Sequence, residues 1–465
     1  MRTIIFFIGL MFTGGIVKSQ VLFNKLDEAV KNLENDSQMK NAILGLVVLD
    51  QKTNSIIYNK NAGVGLAIAS SQKVITSTAS LELLGTDYKY KTILAYNGTI
   101  DNGLLKGDIY LVGYGDPTLG SWRYGNTKEQ LLLDGWIKAI EDRGIKKIDG
   151  NLIGFDRNWE TQTTPGGWIW DDIGNYYGAG VSGLNWRENQ YDLKLKSGAS
   201  AGEKVAIVST IPKLFDVTLV PELVTGKPGT GDNAYIYLPP FSNIGVVRGT
   251  IPPNENTFTI SGSIPDPAYQ LTATLADQMK KNDIDVKLPV TSVGEDLLFS
   301  KKLPQKITVL STHYSPTLDS INYWFLKKSI NLYGEDLVKT LGYEKKNAGS
   351  TDSGLAVIKS FWKNNGVDPS SINMIDGSGL SPQNRIAPGA LVKVMQYARS
   401  RPWFNSFYAA LPEINGLKMK SGSIGGARSF TGYAGDYTFA IVVNNYSGSS
   451  AEIVRKLWKV LDVLK

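Results

Sequence analysis

The 465-residue sequence predicts an α/β (α+β) fold, an antiparallel sheet flanked by helices and interrupted by a β-rich region of one or two further domains. Three observations lead there. Near the N-terminus two apolar alternating runs, AILGLVVLD and SIIYN, are separated by QKTN and read as a hairpin. The final quarter alternates again in LKMKSGS, ARSFTGYAG and YTFAIVVNNY, and closes on the amphipathic AEIVRKLWKVLDVL. Between these ends lies a long stretch of short strand-like runs broken by Gly, Pro and Asn. The two ends therefore share one sheet, and the middle is an insertion.

Taken in order, Arg2 precedes the apolar IIFFIGLMF, and Val17-Lys18-Ser19 forms a small-residue end before Gln20, which together read as a signal peptide over 1–19. Its apolar core is too short for a good membrane span. The mature chain is expected to be exported, most simply to a periplasm, with no membrane span. The segment FNKLDEAVKNLE is amphipathic. From Ser70, SSQKVITSTASLELLG places Val74, Ile75, Ala79, Leu81 and Leu84 at helical spacing and stops at Gly85. In the insertion, Ala273 to Lys281 is the one clear helical segment. From Ile307 helical texture resumes through LDSINYWFLKKSINLYGEDLVKTLG, SGLAVIKSFWKNNG and PGALVKVMQYARS. The expected boundaries are 20–92 and 303–465 for the two parts of the sheet domain and 93–302 for the insertion; a chain this long is expected to hold two or more domains. The apolar stripe of the last helix is explained by packing on the sheet beside it.

Composition excludes several classes. Hydrophobic residues make up 42% and charged residues 20%, ordinary globular values that exclude a disordered or coiled-coil chain. The net charge of +6 is modest for this length, and no basic block points to nucleic acid. There is no cysteine and one histidine, His313. Thiol nucleophiles, disulfides and lipid attachment at the cleavage point are thus excluded, and a Ser-His-Asp triad hinges on one residue. A serine nucleophile here must borrow a lysine as its base. No metal or other cofactor is implied, since only carboxylates remain as ligands and they form no clustered set.

Ser70 to Lys73 is an S-x-x-K. The same pattern at Ser37–Lys40 lies in a polar stretch, and at Ser360–Lys363 inside a helix where the hydroxyl is poorly placed. Ser70 follows a strand pair and opens a helix, so its own N–H and the helix N-terminus can stabilise an oxyanion. The i, i+3 spacing brings Lys73 to the same face. A lysine becomes a base only if its pKa falls, by burial or a second cation, and Lys420 is the candidate cation. Ser320–Asn322 reads as interior to a helix. Ser329-Ile330-Asn331 lies between helices, where Ser329 can relay a proton and Asn331 can hold a substrate amide and Lys73; the alternative is that Ser329 caps the next helix. Lys420-Ser421-Gly422-Ser423 ends an alternating strand. Lys420 and Ser421 there suit a substrate carboxylate, Gly422 permits close approach, and the Ser423 N–H completes an oxyanion hole. The Lys-Ser-Gly at Lys196–Gly198 reads as a turn.

This order of motifs resembles that of penicillin-binding proteins and serine β-lactamases. SSQKVITSTASLELLG, YSPTLDSINYWFLKKSINLYGEDLVKTLG, IDGSGLSPQNRIAP and KMKSGSIGGARSFTGYAGDYTFA are similar to the D-alanyl-D-alanine carboxypeptidase/endopeptidase family of class C low-molecular-mass penicillin-binding proteins. So are GDIYLVGYGDPTL and PGGWIWDDIGNYYGAGVSGLNWREN in the insertion. The resemblance spans nearly the whole mature chain. It implies a transpeptidase-like domain with domains inserted between the first and second motifs. It also implies cleavage of terminal D-Ala-D-Ala, of peptidoglycan crosslinks, or of both, and covalent inhibition by β-lactams. Ser70 would carry the acyl-enzyme, Lys73 would activate it, and Ser329, Asn331 and Lys420 would complete proton transfer and binding. Asp172 and Tyr177 match an aspartate and an aromatic residue that in the family recognise the amino end of a diaminopimelate side chain; otherwise Asp172 caps a turn and Tyr177 is core. Ser421 replaces the commoner threonine and keeps its hydroxyl. Pro382 and Gly425 replace longer polar groups of relatives. IDGSGLS, with Asp376, Ser378 and Ser381, is assigned the cleft floor and no catalytic step.

Three rival functions stand against this one. A serine β-lactamase has the same nucleophile and lysine but lacks the long insertion and the PGGWIWDD segment. A catalytically idle exported wall-binding protein needs none of Ser70, Lys73, Asn331 and Lys420 intact. A generic serine esterase would lack the insertion.

Overall fold

The computed structural model describes the backbone of residues 5–294 and 306–465, with side chains from residue 19 onward. By compactness the chain divides into two units. One comprises Met1–Glu82, Asn322–Ser329 and Ile358–Lys465, the other Leu83–Ile321 and Ile330–Val357.

The first unit is built on a six-stranded sheet. The strand Ser55–Lys60 is one edge, followed by Ile43–Asp50, Tyr437–Asn444, Ala427–Ala434, Leu417–Ile424 and the short Glu413–Ile414. Every neighbouring pair is antiparallel. The expected sharing of one sheet by the chain ends is thus realised, with Leu46 opposite Ile441 and Val48 opposite Phe439. Period-2 alternation sends Leu44, Leu46, Val48, Phe439, Ile441 and Val443 to one face. There they meet Leu26, Val30 and Leu33 of the helix Ile5–Glu34 and Ile453, Leu457 and Leu461 of the helix Ser450–Leu461. Burying each such side chain is worth roughly 1.5–3 kcal/mol. Ser449 caps the last helix by accepting from the Glu452 N–H. Its stripe packs on the sheet, as expected. The first helix runs from Ile5 through the amphipathic segment to Glu34; side chains of residues 1–18 lie outside the described residues.

On the opposite face Pro388 of the helix Pro388–Arg399 seats against Gly45, where a Cβ would stand 2.6 Å from the proline ring. The helix Lys73–Leu84 is buried from Lys73 through Leu81.

The second unit holds a five-stranded mixed sheet in the order 289–291, 152–155, 109–113, 91–96, 308–314. Helices Glu129–Asp142 and Pro267–Lys281 cover it. Two three-stranded sheets, 206–211/190–196/258–263 and 218–225/244–251/233–237, share a core of Leu193, Leu195, Ile236, Val247 and Ile260. The described part of the insertion is therefore mostly β, as expected, but beside the anticipated helix, here Pro267–Lys281, it holds a second long one, Glu129–Asp142, and the short helix Trp170–Ile173. EQLLLDGWIKAIED does carry Leu132, Leu133, Trp136, Ile137 and Ile140 at helical spacing; Gly135 within the run disguises it. The other helix begins at Pro267 because Asp266 caps it and proline favours the first turn.

Candidate active site

Ser70 stands in the tight turn Ala69–Gln72 that leads into the helix Lys73–Leu84. Ala69 holds the left-handed φ of 48°, an uncommon conformation for a side-chain-bearing residue, and thereby turns the chain directly before the serine. One helical turn brings Lys73 Nζ to 2.9 Å from Ser70 Oγ. Lys73 is 0% exposed, and its Nζ also donates to the Ser378 carbonyl at 2.7 Å.

That carbonyl belongs to IDGSGLS. Asp376 is wholly buried and accepts from the N–H groups of Gly379 (2.8 Å) and Ser381 (2.6 Å), from Asn384 Nδ2 (2.9 Å) and from Gln72 Nε2 (2.9 Å). Gln72 donates as well to the Asp376 carbonyl, and Thr76 Oγ1 to that of Gly377. The loop is thus tied to the helix that carries Lys73. Gly379, with φ 82°, lies against the serine turn so tightly that a Cβ would stand 2.1 Å from the Ala69 carbonyl oxygen. The sequence reading treated this segment as a floor and missed its grip on Lys73. An Asp-Gly followed by Ser-Gly was the available signal for a constrained turn.

The strand Leu417–Ile424 runs alongside the serine turn. Ser71 Oγ donates to the Lys420 carbonyl at 3.2 Å, and Ser429 Oγ lies 2.7 Å from Ser71 Oγ while donating to the Ile68 carbonyl. A Cβ on Gly422 would stand 2.0 Å from the Ile68 carbonyl oxygen and 2.9 Å from the Ser71 nitrogen, so the close approach expected of this glycine is used by the nucleophile's own turn. Lys420 is 2% exposed; its Nζ donates to the Ser421 carbonyl at 3.0 Å, and burial pulls its ammonium down to about 7. At neutral pH it therefore carries its charge only part of the time.

Ser329 closes the 322–329 segment with a left-handed φ of 57°. The helix Asn331–Lys346 is N-capped by Ile330 without a side-chain bond, so Ser329 does not cap it. Ser320 and Asn322 lie within the helix Leu318–Lys327, and Asn322 Oδ1 accepts from Ser77. Ser37 and Ser360 fall in a short turn and a helix, and Lys196–Gly198 ends a strand.

In the second unit, Asp172 lies in the short helix Trp170–Ile173 and Tyr177 in the turn Tyr176–Gly178, near enough for carboxyl and phenol to shift each other. Burial raises the Asp172 carboxyl, opposed by the Tyr177 hydroxyl; burial and the Asp172 charge raise the Tyr177 phenol. Asn331 Nδ2 donates to the Tyr177 carbonyl at 2.8 Å, so the helix 331–346 steadies the turn that carries this pair. Asp172 and Tyr177 are partly exposed, and neither is core.

A serine on a helix tip with a buried lysine at hydrogen-bonding distance, beside an antiparallel sheet, defines a serine acyl-transfer enzyme of the penicillin-binding-protein fold. Penicillin binding protein 4 of Haemophilus influenzae shares that fold, with a TM-score of 0.78 at 21% identity over 93% of this chain and 97% of that one. The sequence profile of the D-Ala-D-Ala carboxypeptidase 3 (S13) family matches residues 26–417, and the chain belongs to that family. It is similar to the D-alanyl-D-alanine carboxypeptidase of Actinomadura sp. (strain R39), 27% identical over 454 residues covering 91% of this chain and 82% of that protein. It is also similar to D-alanyl-D-alanine carboxypeptidase DacB of Haemophilus influenzae, 25% identical over 76% of this chain and 70% of that protein. The family match ends before Lys420, so the place of the third motif rests on the contacts of its strand. Among the described residues no helix is long and apolar enough to cross a membrane.

Proposed function

We propose that this chain is a serine D-Ala-D-Ala carboxypeptidase and/or D,D-endopeptidase of peptidoglycan, exported to the periplasm after loss of residues 1–19, with 20–92 and 303–465 as its catalytic domain and 93–302 as inserted domains. The observation that carries the reading is the 2.9 Å contact between Ser70 Oγ and Lys73 Nζ. An alcohol is a poor nucleophile until a base accepts its proton, and among the groups described at Ser70 the amine fills that role.

In this reading Ser70 Oγ attacks the carbonyl of the penultimate D-Ala as its proton passes to Lys73. The oxyanion forms against the N–H groups of Ser70, at the entry of a helix, and of Ser423, on the strand Leu417–Ile424. Collapse expels D-Ala, or the amine of a crosslinked neighbour, after Ser329 and the lysines return a proton to the leaving nitrogen. Water then cleaves the Ser70 ester. Lys420 and Ser421 attract the terminal carboxylate, Gly422 lets the strand pass close, and Asn331 holds a substrate amide. Asp172 and Tyr177 receive the amino end of a diaminopimelate side chain. A β-lactam forms the same ester with its leaving nitrogen still tethered, and blocks the site.

Ser70→Ala tests the assignment. The folded variant is expected to lose all covalent labelling by a fluorescent penicillin; labelling that persists overturns Ser70 as nucleophile.

A further inference from the structure

The strand Ala427–Ala434 pairs with the strand Leu417–Ile424, and its Ser429 stands directly opposite Gly422 in the antiparallel register. Ser429 and Ser71 are both 0% exposed. Residues opposite each other in such a pair project to one face of the sheet, so a side chain at 422 would compete with that of Ser429. A Cβ there would stand 2.4 Å from Ser429 Oγ. Glycine leaves this space open, and the Ser429 hydroxyl reaches past its neighbouring strand to the turn that carries Ser70.

It meets that turn on both sides of the nucleophile. Ser429 Oγ donates to the carbonyl of Ile68, two residues before Ser70, and lies 2.7 Å from Ser71 Oγ, one residue after it. Ser71 Oγ stands in turn 3.2 Å from the carbonyl of Lys420. Two hydroxyl protons are thus shared over three contacts. Every arrangement that uses both protons leaves the turn bonded to at least one of the two strands. The Ile68 carbonyl also accepts from the Ser71 N–H at 3.3 Å, so the Ser429 hydroxyl is not needed to rescue an orphaned acceptor. What it adds is position.

The two oxyanion donors assigned above sit one on each of the parts so joined, the Ser70 N–H on the turn and the Ser423 N–H on the strand Leu417–Ile424. Arg428, the cross-strand partner of Ser423, is the residue next to Ser429. A fastening at this point fixes the gap between the two N–H groups. Donors aimed at a developing charge act through preorganisation, and their effect falls when that gap is free to vary.

We propose that Ser429, acting with Ser71, is a positioning residue of the acylation step: it holds the nucleophile's turn against the strand of Lys420 and sets the spacing of the oxyanion donors. The inference rests on the reading of Ser70 as nucleophile. Both hydroxyls are buried, so their effect passes through Ser70 and Ser423.

The test follows acylation of the full chain by a fluorescent penicillin, separating the dissociation constant of the initial complex from the rate constant of ester formation, with thermal melts alongside. In Ser429→Ala the rate constant is expected to fall about tenfold while the dissociation constant stays unchanged, because the turn is loosened and the binding surface is intact. Ser71→Ala keeps the bond from Ser429 to Ile68 and is expected to slow by about threefold; it carries the test if Ser429→Ala melts below the assay temperature. The end point of labelling, complete in both variants and absent in Ser70→Ala, reports the Ser70 reading separately. A wild-type rate constant in both variants, whatever their melting temperatures, overturns the proposal. So does a loss confined to the dissociation constant, which would place the serines in binding and not in positioning.

Discussion

The carbonyl oxygen of Ser378 accepts a hydrogen bond from Lys73 Nζ at 2.7 Å. A lone pair aimed at the amine orients it, so the position of the candidate base depends on a loop more than 300 residues away in sequence. That loop is held by one carboxylate, Asp376, through its four donors.

Asp376→Ala removes the acceptor of Gln72, Gly379, Ser381 and Asn384 together. Stability is expected to fall by about 3 kcal/mol, since several buried donors lose their partner at once. Acylation by penicillin is expected to slow by about tenfold to a hundredfold as the Ser378 carbonyl shifts. Thermal melts and stopped-flow acylation measure the two effects. An unchanged acylation rate in a destabilised protein would separate the loop from Lys73.

Gly422→Ala places a methyl group 2.0 Å from the Ile68 carbonyl oxygen. Either the strand or the serine turn must move by about an ångström, and a displacement of that size costs on the order of 10²-fold in rate. The acylation rate constant of this variant is expected to drop accordingly while circular dichroism stays native. Wild-type acylation would show that the turn yields without harm to Ser70.

Lys420 titrates near 7 in the folded protein against an ordinary value of 10.5. Between those values the unfolded chain binds a proton that the folded chain does not, so stability is expected to rise with pH from about 7 to about 10.5. Lys420→Met should flatten that rise in melts taken across the range. In catalysis, loss of the Lys420 charge above about 7 is expected to raise KM for a peptide ending in a free carboxylate, with no such limb for its methyl ester. Matching pH profiles for the two substrates would remove Lys420 from carboxylate binding.

Asp172→Ala is expected to impair cleavage of diaminopimelate-containing muropeptides by about tenfold, the scale of one charge-assisted hydrogen bond. A simple acylated D-Ala-D-Ala should be cleaved at nearly the wild-type rate. Product separation after digestion of both substrates measures the ratio, and equal losses would refute recognition of that side chain.

Much of this protein was legible in residue order because the relevant spacings are local. Ser70 and Lys73 are one helical turn apart, the strand pattern of LKMKSGS is period 2, and the apolar runs at both chain ends announce a shared sheet. The helix Glu129–Asp142 was legible in principle and was hidden by one glycine among its apolar positions.

What only the tertiary structure decided are contacts made by backbone atoms between distant segments. The Ser378 carbonyl on Lys73, the Tyr177 carbonyl on Asn331 and the press of Gly422 against Ile68 leave no trace in spacing, because every residue has the same carbonyl. Burial is decided at the same level: a lysine reads alike in any strand, and Lys420 is drawn down to about 7 only because the fold removes it from water. Side-chain chemistry and short-range periodicity belong to the sequence, whereas desolvation and long-range backbone contacts exist only once the chain has closed on itself.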